Sequence, residues 1–388
     1  MTAKEMTMQT ITAHSDDLPT HDDVRAILDD WEYDSDEIAT DAYGTVREQK
    51  KETLPWLSDL VGAEKDLEWL LQPSCSIDAL MPCPVVEQPG CATLHHSPLI
   101  TTLLSIYTVL VGWFEDRALK HHFRPSAYAE CFLWAFKDCD YLHEIMTEGL
   151  QPLTMTELPF LLRDLKQRLA TFHQATQSSA CRERRRYLAR KRDHNRRAAN
   201  QLMEGLFERN AKLLVIRVDL GYTEYAAPYM DASMARQHRQ RLCKAFQQHP
   251  LFTRLLGYIW KLEYGEYKGF HYHLLLFFNG AEVRQDIRYA QRIGEYWNIT
   301  VTKGDGVYFN CNYLAEERYH DNAMGLVTYH DAKKRKGLTH IVNYLTKIDE
   351  YATLTVRGDN LGHSQSPKPH RGLDAKRLGR PRRHASPA

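Results

Sequence analysis

FHYHLLLFF, at residues 270–278, is the most informative run of this sequence for the fold. It follows LGYIWKLEY, residues 256–264, across the short segment GEYKG, and the two runs together predict a β-hairpin. Side chains two positions apart on a strand point to the same face, so His271 and His273 project together while Tyr272 points the other way. The hairpin therefore presents two imidazoles on one face of a sheet.

A carboxylate lies close to this pair in the predicted hairpin. Glu263 is on the partner strand, eight residues before His271, where cross-strand neighbours bring it beside the imidazoles. Two histidines and one carboxylate with open coordination positions suit Mg²⁺ or Mn²⁺, either of which acts as a Lewis acid on a phosphate oxygen. The structural alternative is a half-buried strand whose histidines only hydrogen-bond a neighbour.

A second chemical pattern lies downstream, in HIVNYLTK. It places His340, Tyr344 and Lys347 at positions i, i+4 and i+7 of a predicted helix, so they share one face. A phenol with its ordinary pKa of ~10 is a weak nucleophile, so Tyr344 needs a polarised phosphate and a nearby cation, which Lys347 supplies. Tyr351, one turn further, is a second candidate nucleophile for which a structural role is favoured. The same spacings also occur on ordinary amphipathic helices.

The elements around the hairpin indicate an α+β fold. A β-branched apolar run, KLLVIRVDL at residues 212–220, predicts a further strand. The order of strands and helices predicts an antiparallel sheet with flanking helices packed mainly on one face. The other predicted elements are helices over residues 233–248, 282–297 and 338–349 and a short strand over residues 326–329.

The first half of the chain has a different pattern. Its apolar clusters recur at spacings near three and four, which predicts a mainly α-helical N-terminal domain over residues 21–180, of unknown role. The most apolar run, residues 99–114, is shorter than the ~20 residues that span a bilayer, so we expect a buried helix and no membrane partner. The other predicted segments are a disordered start 1–20, a basic linker or helix 181–204, a C-terminal domain 205–356 and a basic disordered tail 357–388.

Charge is separated along a chain whose formal net charge is zero. The first sixty residues are acidic, whereas basic residues collect at 182–197 and 368–383. Basic segments attract nucleic-acid phosphates by releasing counterions, although two solvated charged segments give the same pattern. The eight cysteines, with an N-terminus that lacks an apolar signal segment, predict reduced thiols and a cytoplasmic location.

Taken in order, these motifs resemble a known group of enzymes. A strand LLVIRVDL, a glutamate-containing strand leading into HYH and a later helix with YLTK resemble the rolling-circle replication initiators of the HUH (His-hydrophobic-His) endonuclease superfamily. More closely, VDLGY, GFHYHLLLF and IVNYLTKID resemble the inovirus-type replication protein family, which includes prophage proteins of the YagK/YfjJ C-terminal type. The resemblance covers about residues 205–355 and implies a ferredoxin/RRM-like endonuclease domain.

The resemblance also implies an activity. The expected protein is a rolling-circle initiator that nicks and rejoins single-stranded DNA at a replication origin, in the cytoplasm of a bacterial host, through a 5′-phosphotyrosine intermediate. Carried over by motif, His271, His273 and Glu263 hold Mg²⁺ or Mn²⁺. Tyr344 is the nucleophile, and Lys347 assists it.

Further residues are candidates for supporting roles. Asp219, on the first motif strand, is either an addition to the metal site or a partner of Arg217. The expected DNA contacts are stacking of bases on Tyr264, Tyr267 and Phe270, and phosphate binding by Lys268, Lys336 and Arg217. Surface tyrosines are also common in plain hairpins.

Two other functions fit the same motifs. A transposase or relaxase would use the same site on a different DNA end. A non-catalytic DNA-binding or regulatory prophage protein would pack its histidine pair structurally and bind duplex through the basic segments. A third interpretation makes the helical N-terminal domain an independent partner-binding module, for example for a host helicase or for dimerisation. A host polymerase is a further candidate partner of the protein.

Overall fold

The structure, a computed structural model, describes most of the chain in eleven segments. These are residues 36–40, 46–50, 55–72, 85–94, 97–115, 117–149, 151–265, 268–313, 315–319, 322–347 and 351–366. The predicted disordered start 1–20 and the tail beyond residue 366 lie outside them.

The first half of the described chain is mainly helical, as the spacing of its apolar clusters predicts. Its helices are α1 (Pro55–Leu70), α2 (Pro98–Glu115), α3 (Arg117–His122), α4 (Ala127–Phe136), α5 (Asp140–Glu148), α6 (Leu158–Thr176) and α7 (Ser179–Arg209). The apolar run at residues 99–114 forms α2, which buries Leu103, Ile106 and Leu110 completely. Among the described residues, no helix has both the length and the apolar character needed to cross a bilayer.

Short strands accompany these helices. They are β1 (Asp36–Thr40), β2 (Val46–Lys50), β3 (Val85–Gln88), β4 (Cys91–Thr93), β5 (Phe123–Pro125) and β6 (Leu153–Thr154). Strands β3, β4 and β6 form a small antiparallel sheet of their own. Each half of the chain thus contributes strands, which the helical periodicity alone did not predict.

The basic segment predicted as a linker or helix belongs to α7, a helix of 31 residues. Ser178 caps its first turn, because the Ser178 hydroxyl oxygen accepts a hydrogen bond from the Cys181 amide at 3.2 Å. Its second half buries Leu202 and Leu206 against the large sheet. The basic side chains of residues 182–197 therefore lie on a continuous helix whose first turn is capped and whose second half packs on the sheet.

The large sheet contains β1, β2 and six later strands. These are β7 (Lys212–Tyr222), β8 (Leu255–Gly265), β9 (Gly269–Asn279), β10 (Gly306–Asn310), β11 (Gly325–Thr328) and β13 (Leu361–His363), whereas β12 (Ala352–Leu354) pairs with β5. Among the described residues, these eight strands are ordered β13-β8-β9-β7-β10-β1-β2, with β11 also paired to β7, and every pairing is antiparallel. The predicted α+β class and the predicted hairpin β8–β9 are confirmed.

Helices cover both faces of this sheet, so the prediction of helices mainly on one face is wrong. The later helices are α8 (Ala232–Gln248), α9 (Asp286–Tyr296), the short α10 (Ala315–Arg318) and α11 (Ala332–Lys347). Helices α8 and α9 pack Phe246 and Ile293 on the face that carries Leu274 and Leu276. Helices α7 and α11 cover the opposite face. The reason is that β9 carries apolar side chains on both of its faces, so helices must pack on both faces to bury them.

Strand alternation fixes which face carries the histidines. Along β9, His271 and His273 share a face with Leu275 and Phe277, and the latter two pack in the core formed with α7 and α11. The imidazoles consequently lie on the same face of the sheet as Tyr344-bearing α11.

Three boundaries differ from those expected. Helix α11 begins at residue 332 and ends at 347, so Tyr351 is not one turn further along it but directly precedes β12. Residues 361–363, expected within a disordered tail, pair with β8 as strand β13. Strands β1 and β2, expected in a helical domain, extend the large sheet through β10. Each difference arises from pairing with a distant strand, which local patterns do not encode.

Candidate metal centre

The register of three strands brings the charged side chains together. Glu263 on β8 lies directly opposite His271 on β9. His273 lies between Lys261 of β8 and Asp219 of β7. Directly opposed residues have Cβ atoms ~5 Å apart, so all five side chains meet on one face of the sheet.

Glu263, His271 and His273 form a compact group that fits a metal ion. One ligand atom from each lies within 4.8 Å of the other two. Glu263 Oε2 is 3.0 Å from His273 Nε2 and 3.9 Å from His271 Nε2. All three residues are buried. The predicted convergence of two imidazoles and one carboxylate is therefore present.

A backbone contact holds His271 in the orientation of a metal ligand. Its Nδ1 lies 3.1 Å from the Gly269 carbonyl oxygen, which only accepts hydrogen bonds, so Nδ1 carries the proton and Nε2 keeps its lone pair. Gly269 has a φ of +62°, a left-handed conformation that glycine adopts without strain. The glycine at the hairpin turn thus aims the carbonyl at the imidazole.

His273 lies between two carboxylates. Its Nδ1 is 2.9 Å from Asp219 Oδ1, on the side away from Glu263. Asp219 is itself held by Arg217, whose Nε and Nη2 donate to it at 3.2 and 2.9 Å. A carboxylate that accepts from the outer nitrogen of a histidine orients the inner nitrogen toward a metal. Asp219 therefore pairs with Arg217, which is one of the alternatives that the sequence left open, and it also contacts the outer nitrogen of His273.

The electrostatics of the group follow from burial and contact. Burial lowers the pKa of His271 to about 4, and the nearby His273 adds to this. Burial alone would lower the pKa of His273 too, but Asp219 and Glu263 raise it to about 9. Burial would raise the pKa of Glu263, yet the histidines hold it at about 2. Glu263 is therefore a carboxylate and His271 a neutral imidazole at neutral pH, which are the forms that bind metals.

One buried atom gives independent support for a bound cation. Glu263 Oε1 is buried and has no hydrogen-bond partner among the described residues. An unsatisfied buried carboxylate oxygen is costly, and a cation shared with the two imidazoles would satisfy it. The residues present therefore fit a divalent metal ion with mixed nitrogen and oxygen ligands.

Lys261 belongs to the same group, and sequence reasoning missed it. Its side chain is 1% exposed, and its charge helps to lower the pKa of Glu263. The sequence signal was a lysine two residues before Glu263, hence on the same inward face of the strand. A buried lysine is rare unless it is paired.

A cleft of about 450 Å³ opens beside these residues. Asp219, His271 and His273 line it together with Lys268 and Tyr308. Lys268, predicted to bind DNA phosphates, is thus placed at the cleft.

Helix α11, which carries Tyr344, lies on the same face of the sheet as the histidines, but the Tyr344 side chain is buried. Tyr344 is 1% exposed and is not among the residues that line the cleft. His340 is half-buried on the same helix. The side chain of Lys347 lies outside what the structure describes. Tyr351 is buried and directly precedes β12.

The other residues predicted to contact DNA have different surroundings. Arg217 is buried and its guanidinium donates to Asp219, so it is not available at the surface to contact DNA. Lys336 is exposed on α11. Phe270 is buried, and the Tyr264 ring contacts His122 with centroids 3.8 Å apart. Tyr267 lies outside the described residues.

Comparison with known proteins is informative for part of the chain. No curated protein and no solved structure shows significant similarity to the chain. One family model does match a segment of the chain. This segment begins within α7 and ends just after α11, so it contains Glu263, His271 and His273 as well as Tyr344. Over residues 183–349, which is less than half of its length, the chain matches the family model of the YagK/YfjJ C-terminal domain.

Proposed function

We propose that this chain is a metal-dependent DNA strand transferase of the HUH type, which nicks and rejoins single-stranded DNA and initiates rolling-circle replication. The observation that carries the proposal is the buried group of Glu263, His271 and His273 with its unsatisfied carboxylate oxygen. The match to the YagK/YfjJ C-terminal domain supports it, because the matched residues contain the whole group.

The charge of the group favours an anionic substrate. A bound metal ion would displace the proton that the raised pKa of His273 otherwise retains. Both imidazoles would then be neutral, and the positive charges of Arg217 and Lys261 would balance the negative charges of Asp219 and Glu263. A divalent cation would leave the site with a net charge of two positive units. A phosphodiester and a developing phenolate together carry two negative charges, so their attraction to a buried site of this charge is strong.

The residues of the site have separate roles in this proposal. Glu263 and the two imidazoles are ligands for Mg²⁺ or Mn²⁺, and Asp219 keeps His273 in the correct orientation. When bound, the ion supplies Lewis acidity at a phosphate oxygen. Lys268 lies at the cleft, where its ammonium group attracts the DNA backbone.

Tyr344 is the nucleophile in this proposal, with Lys347 as the cation that favours its phenolate. The bond from the Tyr344 oxygen to phosphorus forms while the bond from phosphorus to the 3′ oxygen breaks. The phenol loses its proton, and the departing 3′ oxygen takes one up to become a hydroxyl group. Because the phosphotyrosine is still an ester of the 5′ phosphate, the reverse reaction rejoins the strand.

The burial of Tyr344 adds a requirement. A phenol that is 1% exposed cannot contact a phosphate until the end of α11 has moved. The proposal therefore includes an opening of this helix when DNA binds, of the kind that gates many enzyme sites.

A covalent adduct tests the proposed function. The protein is incubated with Mn²⁺ and a labelled pool of single-stranded oligonucleotides of randomised sequence, and denatured samples are separated on a gel. We expect a labelled protein band that EDTA abolishes and that Tyr344→Phe lacks. The matched control is Tyr351→Phe, which also removes one buried hydroxyl and should keep the band.

Two results would overturn the assignment. An adduct that survives in Tyr344→Phe would assign the nucleophile to another residue. Binding of duplex DNA without any adduct to single strands would favour the non-catalytic regulatory protein instead.

A further inference from the structure

We propose that Tyr225 and Tyr229 form a stacking platform for the bases of single-stranded DNA at the mouth of the metal cleft. The inference rests on the proposed function and extends it, because it names where the substrate strand lies outside the reacting phosphate. None of the motifs that indicate the metal group includes these two tyrosines.

Their position follows from the strand that carries Asp219. Strand β7 ends at Tyr222, whose neighbour Gly221 lines the cleft, and the chain turns immediately afterwards. The turn packs on the hairpin: a side chain added at Gly269 would come within 3.4 Å of Ala227. Lys268, which precedes that glycine, lines the cleft. Tyr225 and Tyr229 therefore flank the residue that touches the hairpin beside the site.

The turn is rigid, which lowers the entropy cost of presenting two rings. The Thr223 amide donates to the Asp305 carbonyl oxygen at 2.8 Å, and the Thr223 carbonyl accepts from the amides of Ala226 and Ala227 at 2.9 and 2.8 Å. Both alanines are 9% exposed. Residues Ala227–Tyr229 form a single 3₁₀ turn with Pro228 inside it. Fixed backbone under a large ring is what a preorganised binding surface requires.

The two rings are unusually open to solvent. Tyr225 and Tyr229 are each 80% exposed, more than any other large hydrophobic residue in the described part of the chain. Neither ring contacts another aromatic ring or a guanidinium among the described residues. A large apolar ring gains little from such exposure, so a rigid turn that holds out two of them is suited to contact with a ligand.

The chemistry of the surroundings favours nucleobases as that ligand. Unpaired bases present flat π faces, and aromatic side chains beside a cationic groove bind them with little dependence on sequence. Lys268 provides the cation at the cleft. The turn itself carries the exposed Glu224, whose negative charge repels phosphate. The tyrosines therefore contribute stacking, and the lysine contributes attraction of the backbone. Bases inside a duplex are already stacked on each other, so the platform selects single strands.

Binding without catalysis tests the platform. The full chain is titrated into a fluorescein-labelled oligothymidylate of about 16 nucleotides, a length within the range of single-strand sites, in EDTA, and anisotropy gives Kd. We expect Tyr225→Ala and Tyr229→Ala each to weaken binding roughly 5-fold or more. Tyr225→Phe and Tyr229→Phe keep the rings and should bind as the wild type does. Tyr187→Ala, which removes a 58% exposed tyrosine from α7, is the matched control.

Salt dependence separates stacking from charge. Lys268→Ala should flatten the slope of log Kd against log salt concentration, whereas the two tyrosine-to-alanine variants should keep the wild-type slope. Wild-type affinity in both alanine variants, or no binding of the oligonucleotide by the wild type, would overturn the platform. Normal stacking behaviour together with no covalent adduct in Mn²⁺ would leave the platform standing and overturn only the proposed nicking activity.

Discussion

At the scale of residues, the site is a buried network of charges. Arg217, Asp219, His273, Glu263 and Lys261 follow one another across three strands, and all but Asp219 are less than a tenth exposed. Burying a charge is unfavourable unless a partner compensates it. Each member is therefore held by its neighbours, and Glu263 Oε2 lies nearest the imidazoles while Glu263 Oε1 is buried without a hydrogen-bond partner among the described residues.

Asp219→Asn tests the orienting role of this carboxylate. The amide retains the size of the side chain but removes the charge beside His273 Nδ1, so that the imidazole is less firmly oriented and is a poorer ligand. We expect Mn²⁺ affinity to fall about 10- to 100-fold, measured by calorimetric titration. Asp193→Asn alters an aspartate in a surface ion pair with Arg192 and should leave the affinity unchanged. Equal affinities in Asp219→Asn and the wild type would contradict the orienting role.

Arg217→Met tests the structural cost of the network. Removing the guanidinium leaves the partly exposed Asp219 charged and paired only with His273, so we expect the free energy of unfolding to fall by about 2–3 kcal/mol, less than for a fully buried charge. Urea denaturation followed by circular dichroism measures this. Adding Asp219→Asn to the same chain should recover part of the loss, because no charge is then stranded. Strictly additive losses would argue against the pairing.

At the scale of elements, the sequence predicts most of what carries the site. Alternation in residues 256–264 and 270–278 predicts the hairpin, and the same alternation predicts that Glu263 and the histidines meet. The burial of Tyr344 could not be predicted, since it depends on which helix packs on which face. Lys261 was missed for a different reason: alternation places it on the same face as Glu263, but lysine side chains are rarely buried, so nothing in the sequence indicated that it lies inside the group.

Helix α11 must open for Tyr344 to react, and hydrogen exchange can detect this. Leu338 and Val342 hold the helix on the sheet in the closed state. We expect the amides of residues 340–347 to exchange faster when single-stranded DNA and Mn²⁺ are both present, measured by mass spectrometry. Helix α6 contributes no residue to the lining of the cleft and should exchange at an unchanged rate. Unchanged exchange in α11 together with adduct formation would contradict the opening.

At the scale of the whole molecule, the two halves are joined by more than the long helix. Strand β12, which follows the tyrosine helix, pairs with β5 of the first half. The Thr355 amide donates to the His122 carbonyl oxygen at 2.6 Å, and the His122 ring packs on Tyr264 of the hairpin. The helical half therefore supports the hairpin that carries Glu263, which gives it a structural role whatever partner it has.

This joining predicts cooperative unfolding. We expect a single calorimetric transition, with equal calorimetric and van't Hoff enthalpies, because neither half retains its contacts after the other has unfolded. Two separated transitions would show that the halves are independent domains.

Binding of one divalent cation by Glu263, His271 and His273 underlies the proposed chemistry, and titration of the purified, metal-free protein with Mn²⁺ in a calorimeter measures it. We expect one bound Mn²⁺ per chain, with the binding heat lost in His271→Ala and in Glu263→Gln but kept in His143→Ala, which alters an exposed histidine of α5. If the wild type binds no Mn²⁺, or if Glu263→Gln binds it as tightly as the wild type, these three residues do not form a metal site.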